Sequence, residues 1–187
     1  MTVAGLLLAA GAGRRYGGPK ALAHHDGQLL VERAAETLRA GGCAPVIAVL
    51  GAAADRVRAD ARLPGVTLVD NPEWDTGMGS SLRAGLTALT DTDAAAAVVL
   101  LVDQPGITAV AVRRLAALAA PDTLAMAGYG DRRGHPVLLG RDHWRGVAAL
   151  ATGDVGARPY LSAHAPTITV VPCADVADDT DLDTPSP

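Results

Sequence analysis

Apolar residues in this chain come in uninterrupted blocks separated by stretches of helical spacing. Val3 to Ala9, Val46 to Leu50 and Ala96 to Val102 are runs with almost no polar residue, the pattern of strands covered on both faces. Val66 to Val69 reads as a further short strand. Between these runs, Gln28 to Ala40, Ala52 to Arg62, Met78 to Leu89 and Thr108 to Ala119 repeat their apolar positions every three to four residues, and Gly41-Gly42 supplies a helix stop. The second half is less regular. Tyr129 to Leu139 reads as a loop entering a strand, Gly153 to Arg158 as the beginning of a short helix, and Thr167 to Val171 as a last strand. Strand-helix alternation of this kind predicts a mostly parallel sheet between two helix layers. With right-handed crossovers, the loops at the strands' carboxyl ends gather along one edge, where ligands bind. Neither an internal repeat nor a linker is visible, so residues 1–187 are expected to form one unit.

The loop after the first strand concentrates the chemistry. Glycines at 11, 13, 17 and 18 permit close backbone approach and expose N–H groups to an anion, and Arg14, Arg15 and Lys20 add three cations. That density suggests several phosphates, hence a nucleoside triphosphate. Two common phosphate loops do not fit. Gly13 and Gly18 have P-loop spacing, but Pro19 follows and Lys20 precedes Ala21. Gly11 and Gly13 begin a dinucleotide fingerprint, but Tyr16 takes the third glycine's place and no acidic residue ends the second strand, Val49-Leu50-Gly51.

Other strand ends supply further candidates. Asp103, at the end of a wholly apolar strand, is well placed to hold a metal ion. Magnesium suits it, because that ion takes few carboxylates and completes its octahedron with water and phosphate oxygens. After Asp70-Asn71-Pro72, Gly79 allows close approach and Ser80 or Ser81 can cap the following helix, with amides available to a base or ribose. His135 reads as a structural or substrate-side hydrogen bonder rather than an acid or base, since a phosphate nucleophile is already ionised. Arg158 near a helix start can hold an anionic group. His24-His25 has no metal-binding partner nearby in sequence, and the acidic stretch from Asp178 to Asp183 reads by composition as a solvated tail.

Composition narrows the partners. A net charge of −4 with no basic run outside the first loop argues against nucleic acid. Aromatic content of 3% without Phe leaves Ala, Val and Leu to fill the core. Cys43 and Cys173 are isolated, as expected of reduced thiols in a cytoplasmic protein, and no run is long enough for a membrane span.

Taken together, these motifs resemble the MobA-like nucleotidyltransferases, most closely the molybdenum cofactor cytidylyltransferases. Leu8-Ala9-Ala10-Gly11, Arg15 to Gly17 and Pro19-Lys20 match the family's opening motif, with Tyr16 where Met is usual. Asn71-Pro72-Glu73-Trp74, Gly77-Met78, Ser81-Leu82, Asp103-Gln104-Pro105, Arg133-Gly134-His135-Pro136, Gly153 to Arg158 and Asp181-Leu182-Asp183-Thr184-Pro185 follow in the family's order. In the family an acidic pair and a closing helix come next, where this sequence reads Ser186-Pro187. The resemblance implies a Rossmann-like fold of the nucleotide-diphospho-sugar transferase type. It also implies transfer of CMP from CTP to a molybdopterin-type acceptor with Mg2+. Ala10 favours CTP, since guanylyl-transferring relatives more often carry glycine there.

By the same resemblance, Lys20, Arg14 and Asp103 are catalytic. Leu8, Ala9, Ala10, Gly11, Gly13, Arg15, Lys20, Asp70, Asn71, Gly79, Ser80 and Ser81 bind the nucleotide, and Gly134, His135 and Arg158 meet the acceptor. Asp103 with Asp181 or Asp183 holds the metal. Three alternatives stand beside this reading: GTP or another phosphorylated acceptor, a nucleotide- or pterin-binding protein without turnover, and a nicotinamide-dependent oxidoreductase.

Overall fold

A computed structural model describes residues 1–185. The elements in chain order are β1 (Val3–Ala9), β2 (His24–His25), β3 (Gln28–Leu29), α1 (Leu30–Ala40), β4 (Val46–Leu50), α2 (Ala54–Asp60), β5 (Val66–Asp70), α3 (Met78–Leu89), β6 (Ala96–Leu101), α4 (Ala109–Ala116), β7 (Leu124–Tyr129), β8 (Arg132–Gly140), α5 (Trp144–Leu150), α6 (Arg158–Ala163) and β9 (Thr169–Pro172). Seven strands form the main sheet in the order β5-β4-β1-β6-β8-β7-β9. All run the same way except β8, which is antiparallel to both its neighbours.

Period-two alternation divides β1 between two cores. Leu7 and Ala9 face a cluster with Val31, Leu38, Val112 and Leu115 of α1 and α4. Leu6 and Leu8 face another with Leu82, Leu86, Trp144 and Leu161 of α3, α5 and α6. Both faces are covered, which is why the central strands carry no polar residue. Small residues let the layers close up: a Cβ on Gly85 would collide with Leu6, and one on Gly41 with Val112.

Four local expectations change. The helix expected from Gln28 begins at Leu30, because Gln28 and Leu29 pair with His25 and His24 in a small hairpin. Its turn is Asp26-Gly27, both at positive φ (50° and 78°), a two-residue signal for a tight hairpin. β7 and α5 were not read from the sequence. β7 is short and interrupted by Gly128, so its apolar run resembles neither template. Gly153 to Ala157 is a turn with positive φ at Gly153 and Gly156, and the helix starts only at Arg158. Finally, the acidic stretch is not a free tail. Asp178 N–H donates to Gly106 O (3.1 Å) and Leu182 N–H to Asp103 O (2.8 Å), which lays residues 178–182 along the segment after β6. Among the described residues no helix is long and apolar enough to cross a membrane, and both cysteines are free and buried.

Candidate active site

The carboxyl ends of β1 and β6 lie side by side, since Leu8 pairs with Leu101. This register sets the glycine loop next to Asp103 and opens a cleft of about 400 Å³ between them. Its floor is Leu8, Leu101 and Val102, one wall is Ala10 to Arg14 with Lys20, and the other is Trp74, Asp75, Met78 and Ser81. The loop is shaped by glycine: Gly13 sits at φ 61°, where Gly17 N–H and Gly18 N–H both donate to its carbonyl (2.9 and 3.1 Å) and a Cβ would collide with Gly18 O. Gly51 is equally constrained, since a Cβ there would lie 2.5 Å from Trp74 Cβ and 2.6 Å from Ala10 O.

Lys20 Nζ donates to Asp103 Oδ2 at 2.7 Å and more weakly to Asp183 Oδ1 at 3.4 Å. Burial alone would lower the Lys20 pKa, but the hydrogen bond and charge of Asp103, with those of Asp183, outweigh it and raise it above the ordinary value. The ammonium is therefore charged at neutral pH.

A second cavity of about 520 Å³ adjoins the first and shares Leu8, Met78 and Leu101 with it. Its walls are mostly apolar, with Leu82, Val99, Met126, Val137, Leu139 and Ile168, and its polar side chains are Gln104, Arg133, His135, Arg158, Ser162, Asp179 and Asp181. A break in the β7–β8 register, where Met126 pairs with Val137 but Ala127 with Gly134, pushes His135 and Pro136 off the ladder at this wall. Tyr129 Oη–H donates to His135 O at 2.6 Å and fixes that backbone. Burial pushes the His135 imidazole down to about 4, against the pull of Asp103 and Asp179, so it is neutral at pH 7. Arg132 pairs with Asp179 at 2.9 Å, and a Cβ on Gly134 would strike the Asp179 carboxylate.

Gln104 follows Asp103 in the chain and lines the second cavity. Its Nε2 donates to Asp179 O (3.0 Å) and Asp181 Oδ1 (2.9 Å). Both partners can only accept, which fixes the amide's orientation. Its Oε1 is the one buried side-chain oxygen or nitrogen without a partner among the described residues. An unsatisfied group of that kind costs about 1–3 kcal/mol. The Asp181 carboxyl is raised above the usual range by desolvation around the carboxylate, although the residue as a whole is exposed. The Gln104 hydrogen bond opposes the shift, and the charges of Asp103 and Asp183 add to it.

Among the sequence candidates, Leu8, Ala10, Gly11, Gly13, Arg14, Lys20, Ser81 and Asp103 converge on the first cleft. Gly134, His135, Arg158 and Asp181 converge on the second cavity, and Asp183 reaches in through Lys20. The others lie outside both linings. Ala9 is buried in the core, and Arg15 is exposed. Asp70 is paired with Arg58 at 2.8 Å. Asn71 is a structural hub: its Oδ1 accepts from Glu73 N–H (3.0 Å), and its Nδ2 donates to Ser80 Oγ (2.8 Å) and Ser81 Oγ (3.0 Å). Ser80 Oγ is further held by the carbonyls of Glu73 and Gly77, both at 2.9 Å, and Gly79 N–H is taken by Gly153 O at 2.8 Å. The Ser80 amide also donates within the protein, to Gly77 O at 3.3 Å. Trp74, Met78, Gln104, Arg133 and Asp154 were not singled out from the sequence. All five stand inside motifs already recognised there, so the signal was present but unassigned.

Among the described residues no three His, Cys, Asp or Glu side chains gather closely enough to cage a metal ion. One or two carboxylates at such a cleft fit a small divalent cation that keeps water among its ligands, as magnesium does, better than an all-protein zinc or calcium cage.

Comparison with known proteins places this architecture. Residues 5–168 match the MobA-like NTP transferase domain, and the chain belongs to that family. It is 42% identical over 195 residues to nicotine blue oxidoreductase of Paenarthrobacter nicotinovorans, covering 97% of this chain and 92% of that protein. The crystal structure of a Mycobacterium sp. strain JC1 homologue of Mycobacterium tuberculosis Rv0371c superposes with a TM-score of 0.82 at 34% identity, covering 97% of this chain and 90% of the other. Rv0371c itself, in complex with manganese, superposes with a TM-score of 0.79 at 26% identity, covering 100% and 94%. The fold is of the nucleotide-diphospho-sugar transferase type, as the sequence resemblance implied.

Proposed function

We propose that this MobA-like protein is a cytoplasmic nucleotidyltransferase that moves CMP from CTP to the phosphate of a ring-bearing acceptor of the molybdopterin type, releasing pyrophosphate. The observation that carries this reading is the pair of adjoining cavities. One is built from backbone, Arg14 and Lys20, as a triphosphate requires. The other is apolar with Arg133 and Arg158 at its polar side, as a ring with an anionic group requires.

An acceptor phosphate oxygen attacks the α-phosphorus of CTP. A new P–O bond forms, the bond to the β-phosphate bridge breaks, and pyrophosphate leaves. Because the nucleophile is already an anion, no general base is needed, and neutral His135 serves as a hydrogen bonder. Lys20 and Arg14 offset the triphosphate charge, and the rigid glycine loop holds it in place. Magnesium, held by Asp103 with Asp181 or Asp183, would supply charge neutralisation at the phosphate oxygens.

The name of the 42% identical relative favours a second reading, redox conversion of a flat ring compound in the second cavity. Calorimetry with CTP, GTP and a nicotinamide dinucleotide, each with Mg2+, on wild type and Asp103→Ala separates these. CTP binding that requires Asp103, with pyrophosphate release when an acceptor is present, supports transfer. GTP preference moves the reading to a guanylyl acceptor. Binding of the dinucleotide alone, unaffected by Asp103→Ala, sinks the transferase reading in favour of the redox one.

A further inference from the structure

Two aspartates of the 178–183 strap compete for one role, and they are held differently. The Asp183 side chain is 73% exposed, and its contact is Lys20 at 3.4 Å. Lys20 is the group that a triphosphate would draw away, so Asp183 has no fixed partner once nucleotide enters. Asp181 is tied at 2.9 Å to Gln104, the residue next to Asp103 in the chain. Gln104 is 9% exposed and also holds the strap backbone at Asp179 O. Leu182 N–H closes the same clasp on Asp103 O.

The orphaned Oε1 is a cost that an apolar side chain of the same size would avoid, but only by releasing Asp179 O and Asp181 Oδ1 from their donor. What an apolar side chain cannot do is hold a carboxylate oxygen of Asp181. Asp181 is the chain neighbour of Leu182, whose N–H lies 2.8 Å from Asp103 O, so the strap is pinned beside Asp103 at this point.

We propose that Gln104 is a positioning residue that fixes Asp181, rather than Asp183, as the carboxylate that joins Asp103 in holding the divalent cation. This rests on the nucleotidyltransferase reading. Groups that orient a metal ligand carry roughly 10–100-fold of the metal affinity.

The test is Mn2+ binding to the full chain, followed by the electron paramagnetic resonance of free Mn2+, with and without CTP. The variants are Gln104→Met, Asp181→Asn, Asp183→Asn and the Gln104→Met/Asp181→Asn pair. Gln104→Met and Asp181→Asn should each weaken Mn2+ binding by about tenfold or more. The double variant should be no weaker than Asp181→Asn alone, because Gln104 acts only through Asp181. Asp183→Asn should weaken it far less than Asp181→Asn. Thermal unfolding in a chelator should leave Gln104→Met folded, so that its loss of Mn2+ is not loss of structure. Additive losses in the double variant, or a larger loss from Asp183→Asn than from Asp181→Asn, would overturn the assignment. A folded wild type that binds no Mn2+ in either condition would take down the transferase reading as well, an outcome distinct from wild-type binding that the variants leave unchanged.

Discussion

The two cavities share a wall and differ in how they are made. The first has one wall made largely of backbone, a short loop of glycine and alanine bent around Gly13, with Arg14 and Lys20 beside it. The second is mostly side chains, drawn from α3, β6, β7, β8, α6 and the strap. A cavity made of backbone offers the same N–H groups to any polyphosphate and depends on conformation. One made of side chains depends on which residues line it, and can change its ligand without disturbing its neighbour. The family model and the 42% identical relative carry names as different as a transferase and an oxidoreductase, and a shared fold does not by itself decide between such activities.

Substitutions can break or sharpen that division. The largest effect is expected from Asp103→Asn, which should cut pyrophosphate release by about 10²–10³-fold, a loss typical of removing one preorganised charge-stabilising group. Unchanged turnover would remove the first cleft from the chemistry. Gly13→Ala comes next. With φ at 61° and Gly18 O in the way, the loop must move, and CTP affinity should fall roughly tenfold or more while the acceptor KM stays put. Arg158→Ala should do the reverse, raising the acceptor KM by about tenfold and leaving CTP affinity alone. If both constants move in either variant, the cavities are not independent.

A smaller effect concerns pH. His135 titrates near 4 in the folded chain against 6.5 when free. Between those values the unfolded chain binds the extra proton, so stability is full above about 6.5 and is lost as pH falls towards 4. His135→Asn should flatten that part of the urea-denaturation profile by on the order of 1–2 kcal/mol, with carboxylates accounting for what slope remains. Least of all, Asp70→Ala should leave CTP affinity and the thermal midpoint where they were, because its partner is the exposed Arg58 and neither residue lines either cavity.

The same division explains what could be read from the sequence. The parallel strands and the residues that line the first cleft were legible, because buried strands are continuous apolar runs and the glycine loop is one contiguous stretch. Leu8 to Lys20 and Asp103 needed no knowledge of tertiary contacts. Placement beyond the motifs was not legible. Asn71 and Ser80 lie in a family motif, yet their polar atoms bond one another, and nothing local distinguishes a serine that faces a ligand from one that supports the next turn. The acidic stretch read as solvated because its docking depends on single hydrogen bonds to Asp103, Gln104 and Gly106, about 75 residues away (the Gln104–Asp179 separation is 75). β7 was missed because its partners, β8 and β9, lie beyond it in the chain and its own sequence is dominated by small residues.

The two tryptophans pack on the same core cluster but differ in exposure. Trp144 is sealed in the core, its Nε1–H donating to Leu139 O at 2.9 Å, whereas half-buried Trp74 forms part of the first cleft's wall. With no Phe and three Tyr in the whole sequence, the molecule's ultraviolet emission is almost entirely theirs. The chain thus carries two built-in optical probes, one that senses a ligand and one that senses unfolding. Replacing either tryptophan leaves a single-coloured reporter of the other event.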